Sequence, residues 1–115
     1  NIVPIAYISD KTELAEIYAA ADVFVITSIC DNYPTVCLEA NCCGAPVVGF
    51  DVGGVKETIS FNMGETVKFA DVEKLKDAII CWSNKNIDKF YITSCLKKND
   101  KKRMYAEYYG IYKEF

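Results

Sequence analysis

Histidine is absent from this 115-residue sequence. Without imidazole, Ser-His and Cys-His nucleophilic catalysis and mixed Cys/His zinc sites have no support within it. Neither a G-x-G-x-x-G run nor a P-loop occurs, so the two most explicit phosphate-cradling signatures are missing. No apolar run approaches the ~20 residues that a membrane span requires, and no signal-peptide pattern is read at the start. Internal repeats and low-complexity linkers are also lacking. The net charge of −3 gives no reason to expect nucleic acid as the main partner.

Cysteine, by contrast, is plentiful, with six residues. Cys30, Cys37, Cys42, Cys43, Cys81 and Cys95 fall mostly inside apolar, helix-like or strand-like stretches, which is not how a disulfide framework is laid out. Cys37 and Cys42-Cys43 lack zinc-site spacing. The reading is of small buried thiols in a reducing cytoplasm. A hydrophobic content of 51% is enough for a packed core and argues against disorder. The length fits one domain or a fragment of one.

Along the chain, Asn1 to Ile8 is rich in β-formers and predicts a strand, with Pro4 suiting an edge position or a strand start. The chain begins abruptly inside this element, which suggests an excised piece. Asp10 is placed to cap a helix, with Glu13 reaching back three residues later. Leu14, Ile17, Tyr18 and Ala21 form that helix's apolar face. Val23 to Ile26 is a continuous β-branched and aromatic run, as in a parallel strand buried on both faces. A helix from about Pro34 to Cys43 follows, ended by Gly44. Val47 to Phe50 is a second buried strand. Asp51 to Gly54 is a turn, Val55 to Ile59 a short helix, and Glu65 to Phe69 a short edge strand. Asp71 to Trp82 is amphipathic, and helices over Lys89 to Lys97 and Lys102 to Phe115 close the chain. This alternation is a doubly wound α/β pattern with a parallel sheet. Right-handed crossovers would bring the elbow around Asp31 and the Gly53-Gly54 turn to one edge of the sheet, as two walls of a crevice.

Three features carry possible chemistry. The first is the elbow Ser28 to Pro34 and the helix behind it. Pro34 suits the first helical position, with Tyr33 held extended as the N-cap. The amides of Thr35, Val36 and Tyr33 would then point outward at the positive end of the helix dipole, an anion site of phosphate size. Asp31 would repel a phosphate, so it suits neutral hydroxyls such as those of a sugar. Glu39, one to two turns further in, suits a ribose diol. On spacing alone, Asp31 and Asn32 serve equally well as caps, with Glu39 paired to a lysine. The second feature is Gly53-Gly54, which permits close approach of a ligand and is also an ordinary turn. The third is the last helix, where Tyr105, Tyr108, Tyr112 and Phe115 recur at helical spacing behind Lys101, Lys102 and Arg103. An aromatic stripe of this kind predicts docking on the body of the protein; lying on a membrane surface is the alternative.

Taken together, these motifs resemble the donor-binding signature of the retaining glycosyltransferases of family four, the glycosyl transferase group 1 family. The resemblance rests on Asp31, seven residues and Glu39, on Cys42-Cys43-Gly44-Ala45-Pro46-Val47-Val48, and on Gly53-Gly54-Val55-Lys56-Glu57. The lead-in Leu14 to Val25 and the closing Tyr109 to Glu114 are similar to the family's as well. The resemblance implies a GT-B enzyme of two Rossmann-like domains, of which residues 1–115 are the C-terminal, nucleotide-sugar-binding one without its N-terminal acceptor domain. It implies that Glu39 holds the ribose, that Asp31 and Asn32 contact the donor sugar, and that the amides at Tyr33, Thr35 and Val36 contact sugar and diphosphate. Ser28, Tyr7, Ile8, Gly53 and Gly54 line the pocket, Tyr7 and Ile8 facing the base. No metal or other cofactor is expected. The family more commonly has glutamate followed by Gly-aromatic-Gly where this chain has Asp31-Asn32-Tyr33-Pro34; the shorter acid and the proline remove some reach and one donor.

The implied activity is transfer of a sugar from a nucleotide-sugar to a glycan or lipid-linked acceptor in surface polysaccharide or glycolipid synthesis, by a cytoplasmic protein with peripheral contact at the inner membrane face. Transfer would need the missing N-terminal domain, so the fragment alone is expected to be inactive. The other readings are a non-catalytic Rossmann-like nucleotide-binding module and a different GT-B enzyme such as a nucleotide-sugar epimerase.

Overall fold

A computed structural model describes residues 1–114; Phe115, assigned above to the aromatic stripe, lies outside the described residues. The element order is α1 (Lys11–Ala20), β1 (Phe24–Ile26), α2 (Thr35–Cys42), β2 (Val47–Phe50), α3 (Val55–Thr58), β3 (Gly64–Val67), α4 (Val72–Ser83), α5 (Lys89–Lys98) and α6 (Lys101–Glu114). The three strands form a parallel sheet in the order β1-β2-β3. Phe24 stands opposite Val47, and Val47 opposite Gly64.

All four residues of β2 are buried, because helices cover both faces of the sheet. Alternation along the strand sends Val47 to one side and Val48 and Phe50 to the other. Val47 packs with Tyr18, Ile26, Cys37, Ala40 and Val55, from α1, β1, α2 and α3. Val48 and Phe50 pack with Leu75, Ala78 and Trp82 of α4. The result is the expected Rossmann-like α/β arrangement, with α5 resting against the outside of α2.

Local chemistry explains most element ends. The Asp10 carboxylate accepts from the amides of Thr12 (2.8 Å) and Glu13 (2.9 Å) and starts α1. The return bond from the Glu13 side chain is not among the described hydrogen bonds. Asp71 accepts from Lys74 N at 3.0 Å to start α4, and Asp88 from Phe90 N at 2.8 Å to start α5. Gly44, at φ +95°, ends α2, as expected for a residue just past a helix.

Asn41 belongs to the frame and was not anticipated from the sequence. Its side chain is fully buried in α2. Its amide donates to the carbonyls of Ala45 and Met63, both at 3.0 Å, and its oxygen accepts from Ser60 N at 2.8 Å. One side chain thus ties the end of α2 to the start of β2 and to the loop before β3.

Two expectations are overturned. No strand forms over Asn1 to Ile8: residues 1–10 have no regular structure, and Ile2 and Tyr7 are 97% and 94% exposed. A β-former becomes a strand only beside a hydrogen-bonding neighbour, and this segment pairs with neither edge of the sheet. Nor does α6 dock. No residue of it is buried, and Tyr105, Tyr108 and Tyr112 are 56%, 58% and 77% exposed. The chain turns at Asn99-Asp100 and carries α6 away from the body. At 1.5 Å per residue α6 is about 21 Å long, in a molecule with extents of 52, 31 and 29 Å. The contacts its side chains do make, Arg103 to Glu107, Lys101 over Tyr105 and Lys113 over Tyr109, lie within the helix.

Candidate functional site

The elbow between β1 and α2 lies at the carboxyl end of the sheet, as its place in the chain required. Its start differs from expectation in one respect. Pro34 is the N-cap rather than the first helical residue, with φ −70° and ψ 104°, and no side chain caps α2. Cys37 N donates to Pro34 O at 3.2 Å. Thr35 and Val36, both exposed, therefore present their amides at an N-terminus that no side chain among the described residues closes. The Tyr33 amide is not one of these free donors: it donates to the Asp31 carboxylate at 3.2 Å, a local Asx turn. A carboxylate two residues upstream reaches that amide more readily than any ligand. Asp31 is half-buried, while Asn32 and Tyr33 are exposed.

The Gly53-Gly54 turn meets this elbow directly. Gly54 N donates to Asp31 O at 2.9 Å. A Cβ on Gly53 would overlap the Asp31 carbonyl, and one on Gly54 would overlap the Asn32 carbonyl. Gly53 also sits at φ +51°, where other residues are strained. The turn is therefore not the opposite wall of a crevice. It is the surface on which the elbow rests, and the glycines are needed for backbone-to-backbone approach.

Glu39 lies one helical turn past Thr35, on the same side of α2. It is exposed and accepts a hydrogen bond from the Tyr18 hydroxyl at 3.3 Å. Burial, then the Glu39 charge and this bond, push the Tyr18 phenol above its ordinary value. Tyr18 was read from the sequence only as part of an apolar face. A lone hydroxyl on that face was the available signal, but its partner is 21 residues away. Glu39, Tyr7 and Ile8 line a cleft of about 530 Å³ with Asp10, Leu14, Tyr18 and Cys42, a size typical of small-molecule sites. Asp31, Asn32, Tyr33, Thr35 and Val36 do not line it; they stand at the N-terminal end of the same helix. Ser28 is half-buried in the elbow and, like Gly53 and Gly54, is outside the cleft. The site is thus a helix with free amides at its start and a carboxylate in a cleft beside its second turn. Among the described residues no three His, Cys, Asp or Glu side chains converge as metal ligands would. No helix among them is long and apolar enough to cross a membrane.

Residues 2–108 match the model of a family described as glycosyl transferases group 1. A D-inositol 3-phosphate glycosyltransferase 2 of Catenulispora acidiphila is 41% identical over 58 residues, half of this chain and 14% of the relative. A D-inositol 3-phosphate glycosyltransferase of Geodermatophilus obscurus is 48% identical over 46 residues, 40% of this chain and 10% of the relative. An N-acetyl-alpha-D-glucosaminyl L-malate synthase of Bacillus anthracis is 30% identical over 82 residues, 64% of this chain and 22% of the relative. In these matches the chain covers between a tenth and under a quarter of the relatives' length. With the family match running over nearly its whole length, the chain belongs to the group 1 glycosyltransferases.

Proposed function

We propose that this domain binds the nucleotide-sugar donor of a retaining glycosyltransferase, with α2 as the platform. The observation that carries the reading is the arrangement along one helix. Uncapped amides stand at Thr35 and Val36, and Glu39 lies one turn on, at a nucleoside-sized cleft. The helix N-terminus suits a diphosphate. The Glu39 carboxylate accepts from the two ribose hydroxyls, and the Tyr18 hydroxyl fixes its orientation. The chain at Tyr7 and Ile8 faces the base. Asp31, steadied by the Tyr33 amide, accepts from hydroxyls of the donor sugar.

In transfer, the bond between the sugar's anomeric carbon and the diphosphate oxygen breaks, and negative charge grows on the departing diphosphate. Amides already pointing at that charge stabilise it without reorganising. The acceptor and the groups that orient it belong to parts of the protein outside this chain, so the isolated domain binds donor and does not transfer. The reading assigns no metal ion to the donor site. A glycan or lipid-linked acceptor, a role in surface polysaccharide assembly and a cytoplasmic place at the membrane face rest on the resemblance in sequence. The relatives' names refer instead to D-inositol 3-phosphate and to N-acetyl-alpha-D-glucosaminyl L-malate.

The test is calorimetric titration of the full-length protein with a panel of nucleoside diphosphates. One of them is expected to bind, and Glu39→Ala to weaken it roughly ten- to a hundredfold, as loss of a hydrogen bond to a charged group does. Binding unchanged in Glu39→Ala would remove the ribose assignment.

A further inference from the structure

Two of the six cysteines touch. The sulfurs of Cys42, on the last turn of α2, and Cys95, on α5, are 3.3 Å apart, although 53 residues separate them in the chain. Cys95 is 2% exposed. Its sulfur also accepts from the Ser60 hydroxyl at 3.1 Å and faces the Asn99 side-chain amide at 3.5 Å. Asn99 is itself held by the Cys95 carbonyl at 2.9 Å. Three groups from three parts of the chain therefore converge on one sulfur. Cys42 lines the cleft that holds Glu39, and the buried Cys95 borders a second, apolar cleft of about 280 Å³ with Phe61, Phe90 and Lys98. Cys30 and Cys81 are exposed.

We propose that Cys42 and Cys95 are a reversible dithiol–disulfide site that cross-links α2 to α5, with a low-molecular-weight disulfide of the glutathione class as oxidant. The sulfurs, 3.3 Å apart, need to close by about 1.3 Å to reach bonding distance. Cys42, the more accessible, loses its proton and attacks one sulfur of the oxidant, whose other half leaves as a thiolate. Cys95 then loses its proton and attacks the Cys42 sulfur, releasing the second half. Two protein thiols are oxidised to one disulfide, and the oxidant is reduced to two thiols. The Ser60 and Asn99 donors face the sulfur that carries negative charge in the second step. Burial and the neighbouring Cys95 push the Cys42 thiol up to about 12, so the first step is slow at neutral pH. Cys42 lies three residues after Glu39 on α2, so the cross-link tethers the helix that carries the site. That consequence rests on the function proposed above, and the cross-link itself does not.

The experiment treats the full-length protein with glutathione disulfide, blocks free thiols and maps peptides without reduction. The expected result is a cross-linked pair joining Cys42 and Cys95. It is removed by dithiothreitol and accompanied by a reversible rise in Tm of about 10 °C, as for a loop of this length. Cys95→Ser should abolish both effects; because its site is buried, the half-exposed Cys42→Ser provides the same control. Blocking agent on both cysteines after oxidation, or glutathione retained on Cys42 as a stable mixed disulfide, overturns the proposal.

Discussion

Replacing Asn41 with leucine probes the frame that holds α2 in place. In the leucine variant the Met63 carbonyl keeps its bond from Val47 N at 2.9 Å, so it stays satisfied. The Ala45 carbonyl and the Ser60 amide lose their Asn41 partners. Each orphaned buried group costs about 1–3 kcal/mol. The leucine recovers about 1 kcal/mol of apolar burial. The expected net loss is about 1–5 kcal/mol, a sizeable share of the roughly 5–15 kcal/mol available to a typical protein. Asn41→Asp refines the test, since it turns the donor that faces two carbonyls into an acceptor. A carboxyl there keeps its proton more tightly when folded than when unfolded. Its variant therefore loses stability as pH rises past about 4, where the unfolded chain ionises first. The assay is urea denaturation at several pH values, with hydrogen exchange at the Ser60 amide as a local readout. If Asn41→Leu lies within about 0.5 kcal/mol of the native protein and the Ser60 amide stays protected, Asn41 is not the tie described here.

Three further outcomes follow from the same geometry. Gly54→Ala forces its Cβ into the Asn32 carbonyl and should cost about 2–4 kcal/mol with weaker nucleotide binding; an unchanged melting curve would show that the elbow does not rest on the turn. Tyr18→Phe should cost about 0.5–1.5 kcal/mol at neutral pH through loss of its bond to Glu39. Because the folded phenol is raised above its ordinary value, the native protein should lose stability as pH climbs past about 10, where the unfolded chain ionises first. The phenylalanine variant should lack that component, and identical alkaline profiles would contradict the pairing. Serine at Tyr105, Tyr108 and Tyr112 together should change the stability of the isolated domain by no more than about 0.5 kcal/mol per site, measured by thermal melting; a larger loss would show that α6 packs on this domain after all.

What could be read from the sequence was what is decided locally. The run Val47 to Phe50 announced a buried strand because a parallel strand covered on both faces has no polar side; Val23 to Ile26 announced a strand as well, but β1 is an edge strand in which Phe24 and Val25 are only half-buried. The cap at Asp10 and the stop at Gly44 depend on atoms within a few residues. The elbow and the helix behind it were legible for the same reason, since both lie within one short stretch with Glu39. What failed depended on partners. Asn1 to Ile8 has strand residues and no neighbouring strand. The stripe on α6 has the right periodicity, and the turn before it points it away from the body. Tyr18 and Glu39 meet across two helices, Asn41 binds backbone up to 22 residues away, and Cys42 finds Cys95 only through the packing of α5 on α2. Gly53-Gly54 was legible as a glycine requirement but not as to its cause, since the object that approaches is the chain's own elbow.

The central claim is that Glu39 reads the ribose of a nucleotide bound along α2. The most direct measurement compares the full-length protein and its Glu39→Ala variant in binding the preferred nucleoside diphosphate and its 2′,3′-dideoxy form. The native protein is expected to prefer the ribose form by roughly tenfold or more, and the variant to bind both forms equally at the weaker affinity. The same preference in both proteins would contradict the account, because some group other than Glu39 would then be holding the hydroxyls.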